Sequence, residues 1–450
     1  MTNEDVPEPR ILLEPEWSAE TASGEVQRDQ WWQTFENEAL SAVVLEALRS
    51  NPSLKESAAR IAAAAAEARI AGADLLPTLG ANGSYLRNKN IFVGLPVPGG
   101  NVLESLTTSY GVSLDLAWEA DLWGRIAAQG SAAENQLLAT EAEYCAALQS
   151  LAAQTAKAWF AWQAASLRVA TAERSMESFS DARNMIRRRI DTARATAFEF
   201  RLAETSVASA QSVLTARREI EARSLRQLEL LLGRHPTGDL AGPTMLPDNP
   251  PPPPTGVPGQ LVSRRPDLIA AEARLLAADD NLYAARANLY PRLTLSGSAG
   301  RISDKGSDLL DPDFSVWSLA AGLTQPIFQG GRLRAAVDLS DARVQFALAS
   351  FESALLNAVG EVEIALVSEA YLAQLQQEQD LARDLARQAN QLAEERYSAG
   401  RLDVLELLEA ERRAITNENA SIDVHLRRLE TRVDLHLALG GGFDWQETAQ

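Results

Sequence analysis

The sequence predicts a mainly α-helical fold with a membrane β-barrel. Three observations predict it: two helix-forming stretches of unusual length, two short alternating segments in each half of the chain, and an internal repeat. Of the 450 residues, 42 are Lys or Arg and 61 are Asp or Glu, which gives a formal net charge of −19. Such an acidic balance argues against nucleic acid as a partner, because phosphate groups bind to basic surfaces.

An internal repeat divides the chain into two halves. Residues 52–84 align without a gap on residues 266–298, and alanine bias does not explain the shared Arg, Pro and Gly positions. These positions include Arg60/Arg274, Pro77/Pro291 and Gly83/Gly297. Such self-similarity indicates a duplicated unit, so we expect a first structural repeat over residues 1–233 and a second over residues 261–450. Residues 234–260 between them contain five consecutive prolines, which favour a stiff, extended linker.

Long helices are predicted in both halves. Residues 125–232 and residues 332–439 contain no proline and are rich in Ala, Leu, Glu, Arg and Gln, which are strong helix formers. Apolar residues recur there at the spacing of coiled coils. Helices of such length are unusual in compact domains, whose helices average about three turns. We expect four long coiled-coil helices, over residues 125–189, 196–232, 332–396 and 402–439.

Each half also contains two segments in which apolar residues alternate with small or polar ones. We predict strands over residues 79–86, 109–116, 293–299 and 317–324, joined in pairs by polar loops at residues 87–107 and 301–313. One face of each strand suits lipid and the other suits water. Four strands cannot close a membrane barrel, and an open edge in lipid leaves backbone groups unpaired. A cyclic oligomer solves this problem, since three chains would pool twelve strands, whereas each pair taken alone also fits an ordinary half-buried hairpin.

The sequence supplies little of what an enzyme needs. Cys145 is the only cysteine, which excludes an internal disulfide framework, and we expect it to be a buried small residue in a long helix. His425 and His436 are eleven residues apart and could share a helix face, but two histidines without a third ligand make a poor zinc site. We find no convergent polar site and predict no enzyme activity, no cofactor and no metal.

Several short motifs, taken in their order along the chain, resemble those of a known family. They are Trp31-Trp32-Gln33-Thr34-Phe35, Asp121-Leu122-Trp123-Gly124-Arg125, Arg264-Arg265-Pro266-Asp267-Leu268, Pro326-Ile327-Phe328-Gln329-Gly330-Gly331-Arg332 and Ala438-Leu439-Gly440-Gly441-Gly442. In these motifs the chain resembles the TolC-like outer-membrane efflux proteins, and within them the OprM/NodT-type multidrug-efflux lipoprotein branch. The resemblance covers residues 31–443, nearly the whole chain.

The resemblance implies an architecture, a function and a set of partners. It implies a homotrimer with a twelve-stranded barrel in the outer membrane of a Gram-negative bacterium and an α-helical tunnel in the periplasm, with the Pro-rich linker in a belt around the tunnel. The implied partners are outer-membrane lipid, a periplasmic adaptor (membrane fusion) protein and an inner-membrane efflux transporter. The implied function is passive conduction of drugs or other small molecules out of the cell, with no bond made or broken.

The same resemblance assigns two sets of residues near the periplasmic tip. The helical turns that receive the adaptor correspond to Arg189, Ile190, Asp191 and Ala193 in the first half and to Tyr397, Ser398 and Gly400 in the second. The closed gate corresponds to Leu405, Glu409 and Arg412, whose i,i+4 and i,i+3 spacings place them on one helix face. Threefold symmetry would bring three carboxylates to one axis, where neighbouring arginines must offset their repulsion. The alternative is a solvated helix face without a gating role.

Two features depart from the family pattern. The chain begins Met1-Thr2-Asn3-Glu4-Asp5, which is acidic, whereas a secretory signal has a basic start and an apolar stretch. No cysteine precedes Cys145, so the lipidated N-terminal cysteine of many relatives is missing. We therefore expect a processed or engineered form and infer export from the fold. Two other functions stay open: a TolC-like conduit for type I protein secretion and, in a different class, a soluble coiled-coil scaffold.

Overall fold

The computed structural model describes residues 17–18, 30–92, 103–192, 195–242 and 245–441. The α-helices in this part of the chain are α1 (Glu38–Ser50), α2 (Pro52–Ala73), α3 (Arg125–Asp191), α4 (Ala197–Leu231), α5 (Pro266–Ala287), α6 (Arg332–Ser398) and α7 (Val404–Ala438). The β-strands are β1 (Thr78–Phe92), β2 (Leu103–Ala120), β3 (Arg292–Ser303) and β4 (Ser315–Thr324). Short 3₁₀ helices cover Trp31–Phe35, Pro258–Leu261, Gly306–Leu310 and Pro312–Phe314.

Four of the helices are very long. Helices α3 and α6 contain 67 residues each, and α4 and α7 contain 35 each. Their ends lie within two residues of the ends predicted from the sequence. Local chemistry fixes two of these starts: α4 begins at a capping box of Thr196 and Glu199, and α7 begins at one of Asp403 and Glu406. Within the described ranges, no helix is both long and apolar enough to cross a membrane.

Gly400 ends α6. Its backbone φ is 73°, a left-handed value that glycine adopts without steric cost. The Gly400 N–H donates to the Tyr397 carbonyl at 3.0 Å, and the Arg401 N–H donates to the Arg396 carbonyl at 2.8 Å. This pair of bonds is the Schellman motif, which satisfies carbonyls that the helix end leaves open.

The four strands form one antiparallel sheet in the order β1-β2-β3-β4. Because every strand pairs with its neighbour in the sequence, β1 and β4 are the two edges of the sheet. All residues of these two edge strands are exposed. The sheet therefore presents two rows of backbone groups that no strand of the described chain covers.

The strands are longer than the sequence predicts, and the predicted loop at residues 87–107 is wrong at both ends. β1 continues to Phe92 and β2 already begins at Leu103, and these two residues pair with each other. Residues 88–90 are polar, so alternation of apolar residues could not reveal this part of β1. Backbone pairing extends the strands instead, and an ion pair of 2.5 Å between Lys89 and Glu104 joins them. β3 likewise continues into the second predicted loop, at residues 301–313.

The chain divides into two compact units, each of which contains parts of both sequence halves. The first, here called the strand unit, includes Ile61–Thr140 and Ala271–Ser350. The second, the helical unit, holds the described residues of Arg10–Arg60, Glu141–Ala270 and Phe351–Gln450. The predicted repeats, residues 1–233 and 261–450, are therefore not compact units, because helices of the two halves are packed together within each unit.

Aromatic residues form the main core of the helical unit. Trp31, Phe35, Trp159 and Phe160 are all buried there, and the rings of Phe35 and Phe160 lie 5.2 Å apart. Burial of each such side chain contributes about 1.5–3 kcal/mol to stability. Cys145 is buried on α3, so this prediction from the sequence is confirmed.

Candidate functional site

The predicted gate residues lie in the first turns of α7. Asp403 caps this helix, and the Leu405 N–H donates to its carboxylate at 3.3 Å. Leu405 is 53% exposed, the side chain of Arg412 is exposed, and that of Glu409 is partly exposed. The helical spacing and this exposure place the three side chains on one open side of α7.

Glu409 is paired with two arginines rather than one. Its carboxylate accepts hydrogen bonds from Arg412 and from Arg413, the latter at 2.9 Å. The bonds from Arg413 and then Arg412 lower the pKa of Glu409, so the carboxylate is charged at neutral pH. The sequence prediction included Arg412 alone. Arg413 is a further candidate, and its i+4 spacing from Glu409 is the signal that could have found it.

Arg189 and Tyr397 join the two helical turns of the predicted docking tip. The Arg189 Nη2 atom donates to the Tyr397 carbonyl at 2.6 Å, and the guanidinium carbon lies 4.2 Å from the centre of the Tyr397 ring. Tyr397 is only 2% exposed, and burial raises the pKa of its phenol. Its side chain therefore packs inside the tip, and a docking role of the turn that carries it stays a prediction.

The other predicted docking residues differ in exposure. Asp191, Ser398 and Gly400 are exposed, whereas Ile190 is half-buried and packs against the apolar cluster at the tip. Ala193 lies outside the described residues. The exposed surface at this tip includes the ends of α3 and α6 around these three residues.

The two histidines considered for a metal have different surroundings. A ring nitrogen of His425 lies 2.9 Å from the Pro247 carbonyl oxygen, whereas the His436 ring stacks on Trp31 with centroids 5.4 Å apart. Burial lowers the pKa of both. Across the described ranges, no group of three or more His, Cys, Asp or Glu side chains is placed to hold a metal ion.

Known proteins resemble the chain over most of its length. The sequence profile of the family described as outer membrane efflux protein matches residues 43–234 and 257–441. The outer membrane protein OprJ of Pseudomonas aeruginosa is 35% identical over 424 residues, which cover 92% of this chain and 86% of OprJ. The probable efflux pump outer membrane protein TtgC of Pseudomonas putida is 31% identical over 444 residues, which cover 97% of this chain and 89% of TtgC.

Solved structures share the fold. The outer-membrane channel OprN has a TM-score of 0.86 at 28% identity, covering 98% of this chain and 100% of that one. The open state of the Neisseria gonorrhoeae MtrE outer membrane channel also has a TM-score of 0.86 at 28% identity, covering 97% and 98% of the two chains. Long helices joined to a small open-edged sheet thus define an outer-membrane channel protein.

The chain belongs to the outer membrane efflux protein family. It is an efflux channel of the bacterial outer membrane and not an enzyme. The alternative of a soluble coiled-coil scaffold is therefore wrong, because it accounted for the helices but not for the sheet.

Proposed function

We propose that three copies of the chain form a channel, gated at its periplasmic end, through which a tripartite pump passes small molecules to the exterior. A periplasmic adaptor and an inner-membrane transporter are its partners in the pump, and outer-membrane lipid surrounds its barrel. Related proteins are named for efflux of antibiotics and toluene and for export of pyoverdine, which supports small molecules rather than secreted proteins as cargo.

The open-edged sheet carries this proposal. Along β4, the apolar residues Trp317, Leu319 and Leu323 are 81%, 75% and 68% exposed and lie on one face of the strand. Such a face suits lipid, but lipid cannot satisfy the backbone groups at the edges of β1 and β4. If β4 of one copy pairs with β1 of the next, three copies close a twelve-stranded barrel with no edge left.

An exposed apolar stripe on α6 supports the same assembly. Ile364, Tyr371, Leu385 and Leu392 are separated by multiples of seven residues, and each is more than half exposed. Glu378 occupies the intervening position of this spacing. Apolar residues at this spacing favour a coiled-coil contact, and no helix of the described chain covers them. A helix of the neighbouring copy supplies the missing partner in our proposal.

Assembly around a threefold axis also gives the exposed face of α7 a role. Three copies of Leu405, Glu409 and Arg412 would face a common axis and narrow the tunnel. The bonds from Arg412 and Arg413 hold each Glu409 in place and offset the repulsion among the three carboxylates. The exposed tip at Asp191, Ser398 and Gly400 would receive the adaptor.

Conductance in planar lipid bilayers tests the gated channel. We expect the wild-type protein to insert as a channel of low resting conductance. The double variant Glu409→Ala with Arg412→Ala should conduct more, because it removes both the charged ring and its ion pairs. The matched control is Arg201→Ala with Glu204→Ala, which removes an exposed i,i+3 ion pair from α4 and should leave conductance unchanged.

Two results would contradict parts of the proposal. Equal conductance of the gate variant and the wild type would remove the gate assignment and leave the channel intact. Absence of any channel from the wild-type protein in bilayers, despite correct folding by circular dichroism, would contradict the conduit itself.

A further inference from the structure

A cavity of about 340 Å³ lies within the helical unit, between α3, α4 and α7. Phe179 of α3, Ala210 of α4 and Ile415 of α7 provide apolar parts of its wall. Cavities of this size, with an apolar wall and a few polar groups, hold small organic molecules.

The charged groups on the wall of this cavity are all cations. Arg168, Arg217 and Arg412 line it, and none of the described residues that line it carries a carboxylate. Arg168 pairs with Asp423 and Arg412 pairs with Glu409, both acids lying outside the wall. Arg217 forms no ion pair with any residue in the described ranges. The cavity therefore contains one positive charge without a counter-ion.

A buried hydrogen-bond acceptor in the cavity indicates that a ligand should also carry a donor. The Oδ1 atom of Asn419, which also lines the cavity, is buried and has no hydrogen-bond partner. The amide group of the same side chain donates to the Ile415 carbonyl at 2.8 Å, which fixes its orientation. A buried acceptor without a donor costs free energy, so a donor from a ligand would be favourable here.

The neighbouring cavity has the opposite character. It measures about 390 Å³, and its charged lining consists of four carboxylates, Glu177, Asp181, Glu394 and Glu411, and one cation, Arg174, which pairs with Glu418. The lining of the two cavities therefore differs in the sign of its excess charge, which favours an anion in the cavity between α3, α4 and α7.

We propose that the cavity between α3, α4 and α7 binds a small organic monoanion with an apolar body. The carboxylate or sulfonate of the ligand bonds to Arg217, because guanidinium groups bind such oxygens through paired hydrogen bonds. The apolar body lies against Phe179 and Ile415, and a donor on the ligand reaches Asn419.

Binding at this place is coupled to the gate through Arg412. Arg412 both lines the cavity and bonds to Glu409, so a bound anion competes with Glu409 for the same guanidinium. This coupling rests on the proposed gated channel, whereas the binding itself does not.

Titration calorimetry tests the binding site on the full chain in nanodiscs of zwitterionic lipid, with empty nanodiscs as the blank. The probe is aminonaphthalenesulfonate, and its uncharged sulfonamide analogue reports binding that does not need the charge. We expect one probe molecule per chain, and about tenfold weaker binding to Arg217→Gln, which loses a charge-assisted hydrogen bond. Arg218→Gln is the matched control, because Arg218 is adjacent but pairs with Glu173 away from the cavity.

A second variant changes the volume of the cavity without changing its charge. Val213 lines the cavity and is 49% exposed, so Val213→Phe fills space there with little effect on folding, and it should also weaken binding. Equal affinity for the sulfonate and the sulfonamide, or equal losses in Arg217→Gln and Arg218→Gln, would overturn the proposal. Calorimetry measures binding without any conductance, so failure of the binding proposal is distinguishable from failure of the proposed channel. The coupling to the gate is tested separately, by the effect of the probe on conductance.

Discussion

Acidification should destabilise the protein through His436, and the size of the effect follows from its surroundings. His436 is 6% exposed, and its ring stacks on Trp31 with an interplanar angle of 19°. Its Nε2 atom is buried without a hydrogen-bond partner. Burial, and then the positive charge of Arg432 one turn earlier, lower the pKa of His436 from 6.5 to about 4.

The sign of the effect follows from proton binding. As the pH falls below 6.5, the unfolded chain binds a proton at this residue, whereas the folded chain does not until the pH reaches about 4. The stabilising contribution is therefore complete above pH 6.5 and is lost as the pH falls towards 4. A gap of about 2.5 pH units at about 1.36 kcal/mol each corresponds to about 3 kcal/mol per chain.

Denaturant titration in detergent, followed by helical circular dichroism at pH 7, 5.5 and 4, measures this contribution. We expect His436→Phe to retain the stacking on Trp31. Between pH 7 and pH 4, its free energy of unfolding should fall by about 3 kcal/mol less than that of the wild type. His235→Phe is the control, because His235 is exposed, and it should follow the wild-type pH dependence. Parallel pH curves for wild type and His436→Phe would refute the reasoning.

Two further substitutions test packing in the helical unit, both by denaturant titration at pH 7. Glu369→Gln should lower the free energy of unfolding by about 3 kcal/mol, because it leaves the fully buried Arg432 without its carboxylate, and adding Arg432→Met should restore most of this. An unchanged free energy of unfolding in the single variant Glu369→Gln would contradict this prediction. Gly233→Ala should cost about 2 kcal/mol, since φ is 70° and the new Cβ would lie 2.8 Å from the Ser50 carbonyl oxygen. Gly360→Ala, in open space on α6, should instead stabilise by about 0.5 kcal/mol, and equal effects at both glycines would be the contrary result.

The bounds of the long helices could be predicted closely from the sequence because the signals that set them lie in neighbouring residues. Because α3 and α6 contain no proline, they continue without a break. Short-range signals set where the helices begin and end. Thr196 and Asp403 cap the helices that follow the turns, and Gly400 supplies the left-handed residue at the end of α6. Each of these signals acts within one turn of the chain, so a single sequence contains them in full.

The strands and the candidate sites depend on residues distant in the sequence, and there the prediction fell short. The extent of β1 is set by its pairing with β2, which no alternation within residues 87–92 reveals. Burial of Tyr397 results from packing among α3, α4, α6 and α7, and no signal in the residues around position 397 reveals it. Arg168, Arg217 and Arg412 line one cavity although they lie on three different helices, so no local pattern in the sequence brings them together.

The number of chains in the particle tests the central claim most directly. Light scattering coupled to size exclusion in detergent, with averaged images of the same particles, measures both mass and symmetry. Closure of the sheet edges predicts a particle of three chains with a threefold axis and a continuous wall of strands. A single chain that stays monodisperse in plain buffer and never enters liposomes would contradict the claim.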